Sequence, residues 1–247
     1  MDSFWTQFLV GVAVFWTVLI VLGWRRFRSL NRPLRHLTSG AWQRYLDENL
    51  RLLENERSPR LRNNLRYNRA NCLYRMGDLD GAIDELDRIE RAVLDPLLES
   101  VYYALYAQSL LLLRRDLESV DRYFEKSNRL RAMPSRPLYL AYLRLLQGER
   151  ASGLRLLEEF EAHKHDKPGR GFGFHTRLRR DELFSRLEID FFLGASFLIL
   201  GEHDRARRHL TSAIDAPYQN IYSDRSQRLL SGLGSPLPFA GLTADRG

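Results

Sequence analysis

Two stretches decide the fold of this chain: ANCLYRMGDLDGAIDELDRI at Ala70–Ile89 and LGASFLILGEHDRARRHLTSA at Leu193–Ala213. In each stretch two helix-compatible runs flank a glycine that is followed by an acidic residue, Gly77 in the first and Gly201 in the second. Glycine is typical of a helix end, because it adopts the left-handed backbone conformation there without strain. The two stretches therefore predict two helix–turn–helix units.

The same offsets, counted from the turn, recur at four places along the chain. The four turns are Gly77-Asp78, Arg115-Asp116, Gly148-Glu149 and Gly201-Glu202, at intervals of 38, 33 and 53 residues. Five positions after each turn stands a small or slim residue: Ala82, Val120, Gly153 and Ala206. Nine positions after it stands a large apolar residue: Leu86, Phe124, Leu157 and Leu210. Seven positions before it stand Ala70, Gln108, Ala141 and Gly194. Small residues let two helices approach, and large ones fill the space to the next unit.

This pattern resembles the tetratricopeptide repeat, a helix–turn–helix unit of about 34 residues. The resemblance covers about residues 60–217. It implies an all-α, right-handed α-solenoid of about four units, whose concave face binds other proteins. The middle units depart from the family pattern, because Gln108 replaces a small residue and Arg115 replaces the turn glycine. Accidental spacing in a plain helical bundle is the alternative.

A long uncharged run lies near the amino terminus, at residues 4–24 (FWTQFLVGVAVFWTVLIVLGW). About 20 apolar residues cross a bilayer core, so the run predicts a transmembrane helix behind a tail of residues 1–3. A cleaved signal peptide is the competing interpretation, but no Lys or Arg precedes the run and no small-x-small site follows it. Five arginines follow the run and predict contact with the membrane surface: Arg25, Arg26, Arg28, Arg32 and Arg35.

These arginines place the repeat domain in the cytosol, by the positive-inside bias. Arginine greatly outnumbers lysine, which is typical of a GC-rich bacterial genome, so the expected location is a single pass through a bacterial inner membrane. Of the net charge of +7, five positive charges belong to this segment, so the repeat domain itself is not strongly basic. The single cysteine, Cys72, cannot form an internal disulfide, which agrees with a reducing compartment.

Outside the predicted span the chain divides by composition and periodicity. Residues 25–59 combine the basic segment with a helix at Ala41–Glu56 that caps the solenoid or forms a degenerate half-repeat. Residues 60–217 hold the repeats, with an insertion at about 161–178. Residues 218–232 predict a C-terminal capping helix, and residues 233–247 a disordered tail.

The candidate binding residues lie on the first helix of each unit, which lines the concave groove in the resembled family. Asn64, Asn68 and Asn71 recur at i, i+4 and i+7, so they share one helix face. Their amides both donate and accept, which suits an extended peptide, although a solvated polar face is the alternative. Later units carry aromatic residues of the type that dominates binding hot spots: Tyr102, Tyr106, Tyr139, Tyr142, Phe191 and Phe192. Interhelical core is the alternative for these residues.

Three further patterns are weaker. Asn71 fits a clamp for a chaperone's terminal carboxylate, but Tyr67, Ser135 and Tyr139 stand where its lysine and arginine are expected. The run RGFGF at residues 170–174 looks like an RNA-recognition strand, but no alternating strands surround it, so no nucleic-acid partner is expected. Four residues of the insertion are zinc-ligand types, yet no cysteine joins them and no metal or other cofactor is expected: His163, His165, Asp166 and His175.

The sequence therefore predicts a membrane-anchored scaffold or adaptor, not an enzyme, that binds a protein partner or a peptide segment in its concave groove. No nucleophile elbow, zinc-protease helix or Walker loop is present, and no small-molecule substrate is expected. One alternative is a permanent structural subunit of a larger membrane complex for secretion or envelope assembly. A less favoured alternative is a metal-dependent enzyme that uses the His-rich insertion.

Overall fold

The structure is a computed structural model that describes residues 41–163, 179–215 and 217–233, with isolated positions 16, 17, 21 and 36. The chain divides into two compact units, Met1–Asn55 and Glu56–Gly247. Every regular element in these ranges is helical, so the predicted all-α class is confirmed.

In the first unit, helix α1 spans Trp42–Asn55. The second unit contains the helices α2 Pro59–Met76, α3 Leu79–Asp87, α4 Pro96–Leu113, α5 Leu117–Leu130, α6 Arg136–Leu146, α7 Arg150–His163, α8 Arg179–Leu200, α9 His203–Ile214 and α10 Ile221–Gly232. A single 3-10 turn, Arg91–Val93, lies between α3 and α4. The predicted insertion falls largely on residues 164–178, which lie outside the described ranges.

The helices of the second unit pack as four consecutive hairpins, α2/α3, α4/α5, α6/α7 and α8/α9. Three of the hairpins turn at a glycine with a left-handed backbone: Gly77 (φ 93°), Gly148 (φ 81°) and Gly201 (φ 81°). At Gly77 the backbone N–H reaches back to the carbonyls at the end of α2, which satisfies groups that the helix itself leaves unpaired.

The second hairpin turns differently. The pattern placed Arg115 at the glycine position, but the left-handed residues are its neighbours, Arg114 (φ 56°) and Asp116 (φ 43°). The reason is that α4 ends at Leu113, which leaves a turn one residue longer than those at Gly77 and Gly201 and puts the helix end directly at Arg114. Without glycine, two residues share the backbone reversal.

The residues at the repeated offsets are buried where the two helices of each hairpin pack together. Ala82, Val120 and Ala206 are fully buried, and so are the large residues Leu86 and Phe124. Gly194 on α8 shows how tight this packing is, because a Cβ there would lie 2.7 Å from Cγ of Leu210 and 3.0 Å from its backbone nitrogen. Helices α8 and α9 therefore approach at backbone distance.

Polar contacts hold the segments at the ends of the hairpins, in addition to the apolar core. Asn63 on α2 donates from Nδ2 to the carbonyl of Glu90 (2.8 Å) and accepts at Oδ1 from the Glu90 N–H (3.1 Å), which fixes the chain after α3. Arg150 at the start of α7 donates to the carbonyl of Leu200 at the end of α8 (2.7 Å). This contact ties the third hairpin to the fourth.

No helix within the described ranges is long and apolar enough to cross a bilayer. Even α8, with 22 residues, carries Glu188 and Asp190 within its length. This finding contradicts the predicted location, a single pass through a membrane with the repeat domain facing the cytosol. The span predicted over residues 4–24 lies outside the described residues except at three positions, and so do the five arginines that follow it.

Candidate functional site

Helix α10, the last one within the described ranges, contacts the first helices of several hairpins. It packs along α8 and α9 and also reaches α2 and α4. We call the surface that receives it the α10 seat, and define it by Tyr74, Leu112, Glu188, Phe191 and Phe192. Three of the four helices on which the sequence predicted a binding groove, α2, α4 and α8, thus contribute to this seat.

A capping box fixes where α10 begins. The Asn220 side chain accepts from the N–H groups of Tyr222 (2.9 Å) and Ser223 (3.2 Å). The Ser223 hydroxyl accepts in return from the Asn220 N–H (3.1 Å). This reciprocal arrangement satisfies the unpaired donors of the first turn and holds Tyr222 in place there.

A hydrogen-bonded network lies at the centre of the seat. The Tyr222 hydroxyl donates to Oε1 of Glu188 (2.6 Å). The Tyr74 hydroxyl lies 2.5 Å from that of Tyr222 and can donate to it, because the Tyr222 proton is directed at the carboxylate. Tyr139 on α6 also hydrogen-bonds Glu188. Three helices and α10 therefore meet at one carboxylate.

The carboxylate is enclosed although part of the Glu188 side chain still reaches solvent. Burial raises the pKa of Glu188, and the hydrogen bonds from Tyr222 and Tyr139 and the charge of Arg75 offset only part of that rise. The same environment raises the pKa of Tyr74, Tyr139 and Tyr222 well above its ordinary value, chiefly through burial. The network thus favours protonated tyrosines around an acid that ionises less readily than usual.

Four of the six predicted groove aromatics lie at or directly behind the α10 seat, two of them against Tyr222. Its ring centroid lies 5.5 Å from that of Phe191 and 6.2 Å from that of Phe192. Phe192 in turn meets Tyr139 at 5.0 Å and Tyr142 at 5.4 Å, both edge to face. All four are buried, with Phe191 and Phe192 in the seat and Tyr139 and Tyr142 packed behind Phe192.

The other two predicted aromatics belong to a separate cluster. Tyr102 and Tyr106 pack with Tyr103 and with Tyr123 of α5, at centroid distances of 5.0 to 6.0 Å. The Tyr106 hydroxyl donates to Asp87 of α3 (3.0 Å). Burial raises the pKa of Tyr102 to about 12. These two tyrosines thus lie between hairpins and do not join the seat.

A second polar contact anchors α10 further along its length. Nη1 of Arg225 donates to the carbonyl of Leu112 (3.1 Å), in the last turn of α4. Carbonyls in a last turn lack helical partners and carry the negative end of the helix dipole, so they attract a cation. Burial lowers the pKa of Arg225 from its ordinary value. The guanidinium nevertheless stays charged, because that ordinary value lies far above neutral pH.

The predicted asparagines lie beside this seat on α2. Asn64 is exposed and donates to the carbonyl of Arg60 (3.2 Å), and Asn68 is half-buried. Oδ1 of Asn71 accepts from Nε of the buried Arg75 (3.2 Å), whose charge acts on Glu188. We call Asn64, Asn68, Asn71 and Arg75 the asparagine strip; it leads along one helix face to the network.

Five residues in the contact between α10 and its seat escaped prediction: Tyr74, Leu112 and Glu188 in the seat, and Tyr222 and Arg225 on α10. For Glu188 the sequence offered a weak signal, because this acid stands next to Leu187 and three positions before Phe191, both of which are apolar and buried. For Tyr222 and Arg225 the sequence offered no such signal, because residues 221–232 are mostly polar, as in a helix whose outer side is exposed.

A serine, an aspartate and a histidine also meet on α8 and α9. The Ser212 hydroxyl donates to Asp190 (2.7 Å), and Nδ1 of His209 lies 2.9 Å from the other carboxylate oxygen. Burial alone would raise the pKa of Asp190, but the bonds from His209 and Ser212 outweigh it, and the pKa is lowered. Since the hydroxyl bonds the carboxylate and not the imidazole, this is not the arrangement that activates a serine nucleophile.

No group of three or more His, Cys, Asp or Glu residues within the described ranges is placed to hold a metal ion. The zinc-ligand types of the insertion, His165, Asp166 and His175, lie outside those ranges, as does the side chain of His163.

Comparison of the chain with protein-family models, with curated proteins and with solved structures finds no match in any of the three.

Proposed function

We propose that this chain is a helical-repeat scaffold of the tetratricopeptide type, and that its first helices bind a segment of a protein partner. In this proposal the four hairpins stack as a solenoid. Support comes from the four repeated turns and from the small residues at equivalent offsets, which are buried where each pair of helices crosses. Such stacking leaves one helix of each pair on the inner surface.

The observation that carries the proposal is the α10 seat. It is a surface on the first helices that holds a helix by aromatic contacts around Tyr222 and by polar contacts at Glu188 and Leu112. A surface with buried aromatic anchors and a few fixed polar groups is typical of protein recognition.

The arrangement of acids favours binding over catalysis. The Glu188 carboxylate is occupied by two tyrosine hydroxyls, and the Asp190 carboxylate by Ser212 and His209. Each acid is thus held by the chain's own donors. We therefore propose a binding role without a catalytic step.

Site-directed photocrosslinking tests the proposal. A benzophenone amino acid would replace Asn64, which is exposed, or Asn68, which is half-buried; both belong to the asparagine strip. The matched control is Leu154, which is exposed on α7, the second helix of its hairpin. In cells that produce the chain naturally, we expect the strip positions to give a defined crosslinked protein at several times the yield of Leu154. Equal yields from all three positions would contradict partner binding by the first helices.

A further inference from the structure

The α10 seat buries polar groups that a permanent core would replace by apolar ones. Glu188 is enclosed by α10 and its neighbours, although an ionised carboxylate is unfavourable in such a place. Ser226 of α10 is fully buried, and its hydroxyl has no hydrogen-bond partner among the described residues. These features make α10 a weaker occupant than a helix with an apolar face of the same size would be.

Two side chains of α10 match fixed polar groups of the seat. Tyr222 supplies a donor to Glu188, and Arg225 supplies a cation to the carbonyl of Leu112. The two residues are three positions apart, so they share one face of the helix. An apolar side chain could satisfy neither group, so the seat selects for a tyrosine and an arginine at this spacing.

The connection between α9 and α10 allows α10 to leave. Asp215, Pro217 and Gln219 of this linker are exposed. Each of the four hairpins closes through contacts between its own two helices. Departure of α10 would uncover Phe191, Phe192 and Glu188 without separating any hairpin.

Building on the proposed function, we propose that the partner binds the α10 seat as a helix that carries a tyrosine and, three residues later, an arginine, and that it displaces α10 in doing so. α10 is then an internal competitor with the same recognition pattern. Partner binding is weakened by the free energy of releasing α10, and only a helix with the matching pair competes effectively.

Peptide exchange on the full chain tests this inference. A protease site is placed in the exposed linker between Ile214 and Asn220, and the folded chain is cut there so that both pieces stay together. A fluorescent synthetic peptide with the sequence of residues 219–233 (QNIYSDRSQRLLSGL) is then added, and its anisotropy is followed. We expect the peptide to enter the seat after cleavage, and to enter the uncut chain far less.

Peptide variants test the side chains that the seat selects. Tyr222→Phe and Arg225→Gln should each weaken entry roughly tenfold, because each removes a partly buried hydrogen bond to a charged or otherwise unpaired group. Gln227→Ala is the matched control; this residue is exposed, and its change should leave entry unaltered.

Two results would overturn the inference: absence of exchange in a cut chain that keeps its helical circular dichroism, or entry that ignores both substitutions. If cutting unfolds the chain, an uncut Tyr222→Phe chain serves instead, and it should take up the wild-type peptide roughly tenfold more readily than the uncut wild type; equal uptake would also overturn the inference. Crosslinks from Asn64 and Asn68 without peptide exchange would reject the displacement of α10 and leave the proposed function standing. Peptide exchange without crosslinks would support the displacement of α10 and reject contact between the partner and the asparagine strip.

Discussion

At the scale of single residues, Arg114 adopts a backbone conformation that glycine takes at the other turns. Its φ of 56° is left-handed and its side chain is exposed. A residue with a Cβ is strained there by about 1–2 kcal/mol. Arg114→Gly should therefore raise the free energy of unfolding by about 1 kcal/mol, because glycine's larger unfolded-state entropy cancels part of the gain. Urea unfolding measures the change.

Gly148 is the matched control for that substitution. A Cβ there would meet nothing within 4 Å, so Gly148→Ala probes the left-handed backbone alone (φ 81°). It should lower the free energy of unfolding by about 1 kcal/mol. A stabilising Gly148→Ala, or a neutral Arg114→Gly, would show that turn strain does not limit stability here.

Cys72 gives a second prediction at this scale. The side chain is fully buried, and burial raises the pKa of its thiol to about 12. At pH 8 only about one thiol in ten thousand is then ionised, and the thiolate is the reactive form. We expect a disulfide reagent to leave the folded chain unmodified at pH 8 and to modify it stoichiometrically in 8 M urea. Rapid reaction of the folded chain would place Cys72 outside the core.

At the scale of helices, the approach of α8 to α9 depends on Gly194. Gly194→Ala should lower the free energy of unfolding by about 2 kcal/mol, since the new methyl group meets both the side chain and the backbone of Leu210. Leu210→Ala alone should lower it by about 2–5 kcal/mol through the cavity that it leaves. Urea unfolding of each variant measures both changes.

The double variant separates the clash from any general disturbance of α8. With Leu210 truncated, the methyl group at position 194 occupies part of the vacated space, so the double variant should lose less stability than the two single losses added together. Strict additivity would mean that the two residues do not meet.

Local signals made the hairpins predictable. Three turn glycines and the buried offsets of Ala82 and Leu86 follow from rules of helix ends and close packing that operate over a few residues. In the second hairpin the backbone reversal lies at Arg114 and Asp116 and not at Arg115. The sequence could not predict this, because no glycine marks the left-handed positions there. Tyr102 and Tyr106 could not be separated from Tyr139, because helical spacing gives a face but not the neighbour that the face meets.

At the scale of the whole molecule, the charge of Glu188 links stability to pH. Its pKa is higher in the folded chain than in the unfolded one, so the folded state binds its proton more tightly and is favoured as pH falls through this range. Above the folded-state pKa the ionised carboxylate is a net burden. Glu188→Gln should therefore be more stable than the wild type at pH 7, and the difference should shrink as pH falls toward about 4, the ordinary pKa of the side chain.

Urea unfolding of both chains between pH 4.5 and 7.5 measures this difference. Glu158→Gln is the control; Glu158 is exposed on α7, so its substitution should not change the slope. Parallel curves for the wild type and Glu188→Gln would mean that the Glu188 carboxyl group is not enclosed.

The seat itself could not be read from the sequence. Its residues come from α2, α4 and α8, and only the packing of the whole unit brings them together beneath α10. Tyr74 and Tyr222 are 148 positions apart, and neither carries a local sign of the other. The spacing of the asparagines gives them one face of α2, but their link to Glu188 through Arg75 required the fold.

The long separation between Tyr74 and Tyr222 has a consequence during synthesis of the chain. Each hairpin closes through contacts between neighbouring segments and can form soon after it leaves the ribosome. The Tyr74–Tyr222 contact must wait for 148 further residues, which takes roughly 10–30 s at ordinary rates of translation. For most of that interval the seat itself is incomplete, because Glu188, Phe191 and Phe192 are made only when α8 is translated. It is complete but empty while the roughly 30 residues that lead to Tyr222 are added, about 2–6 s, so the first molecule able to fill it is whatever surrounds the ribosome.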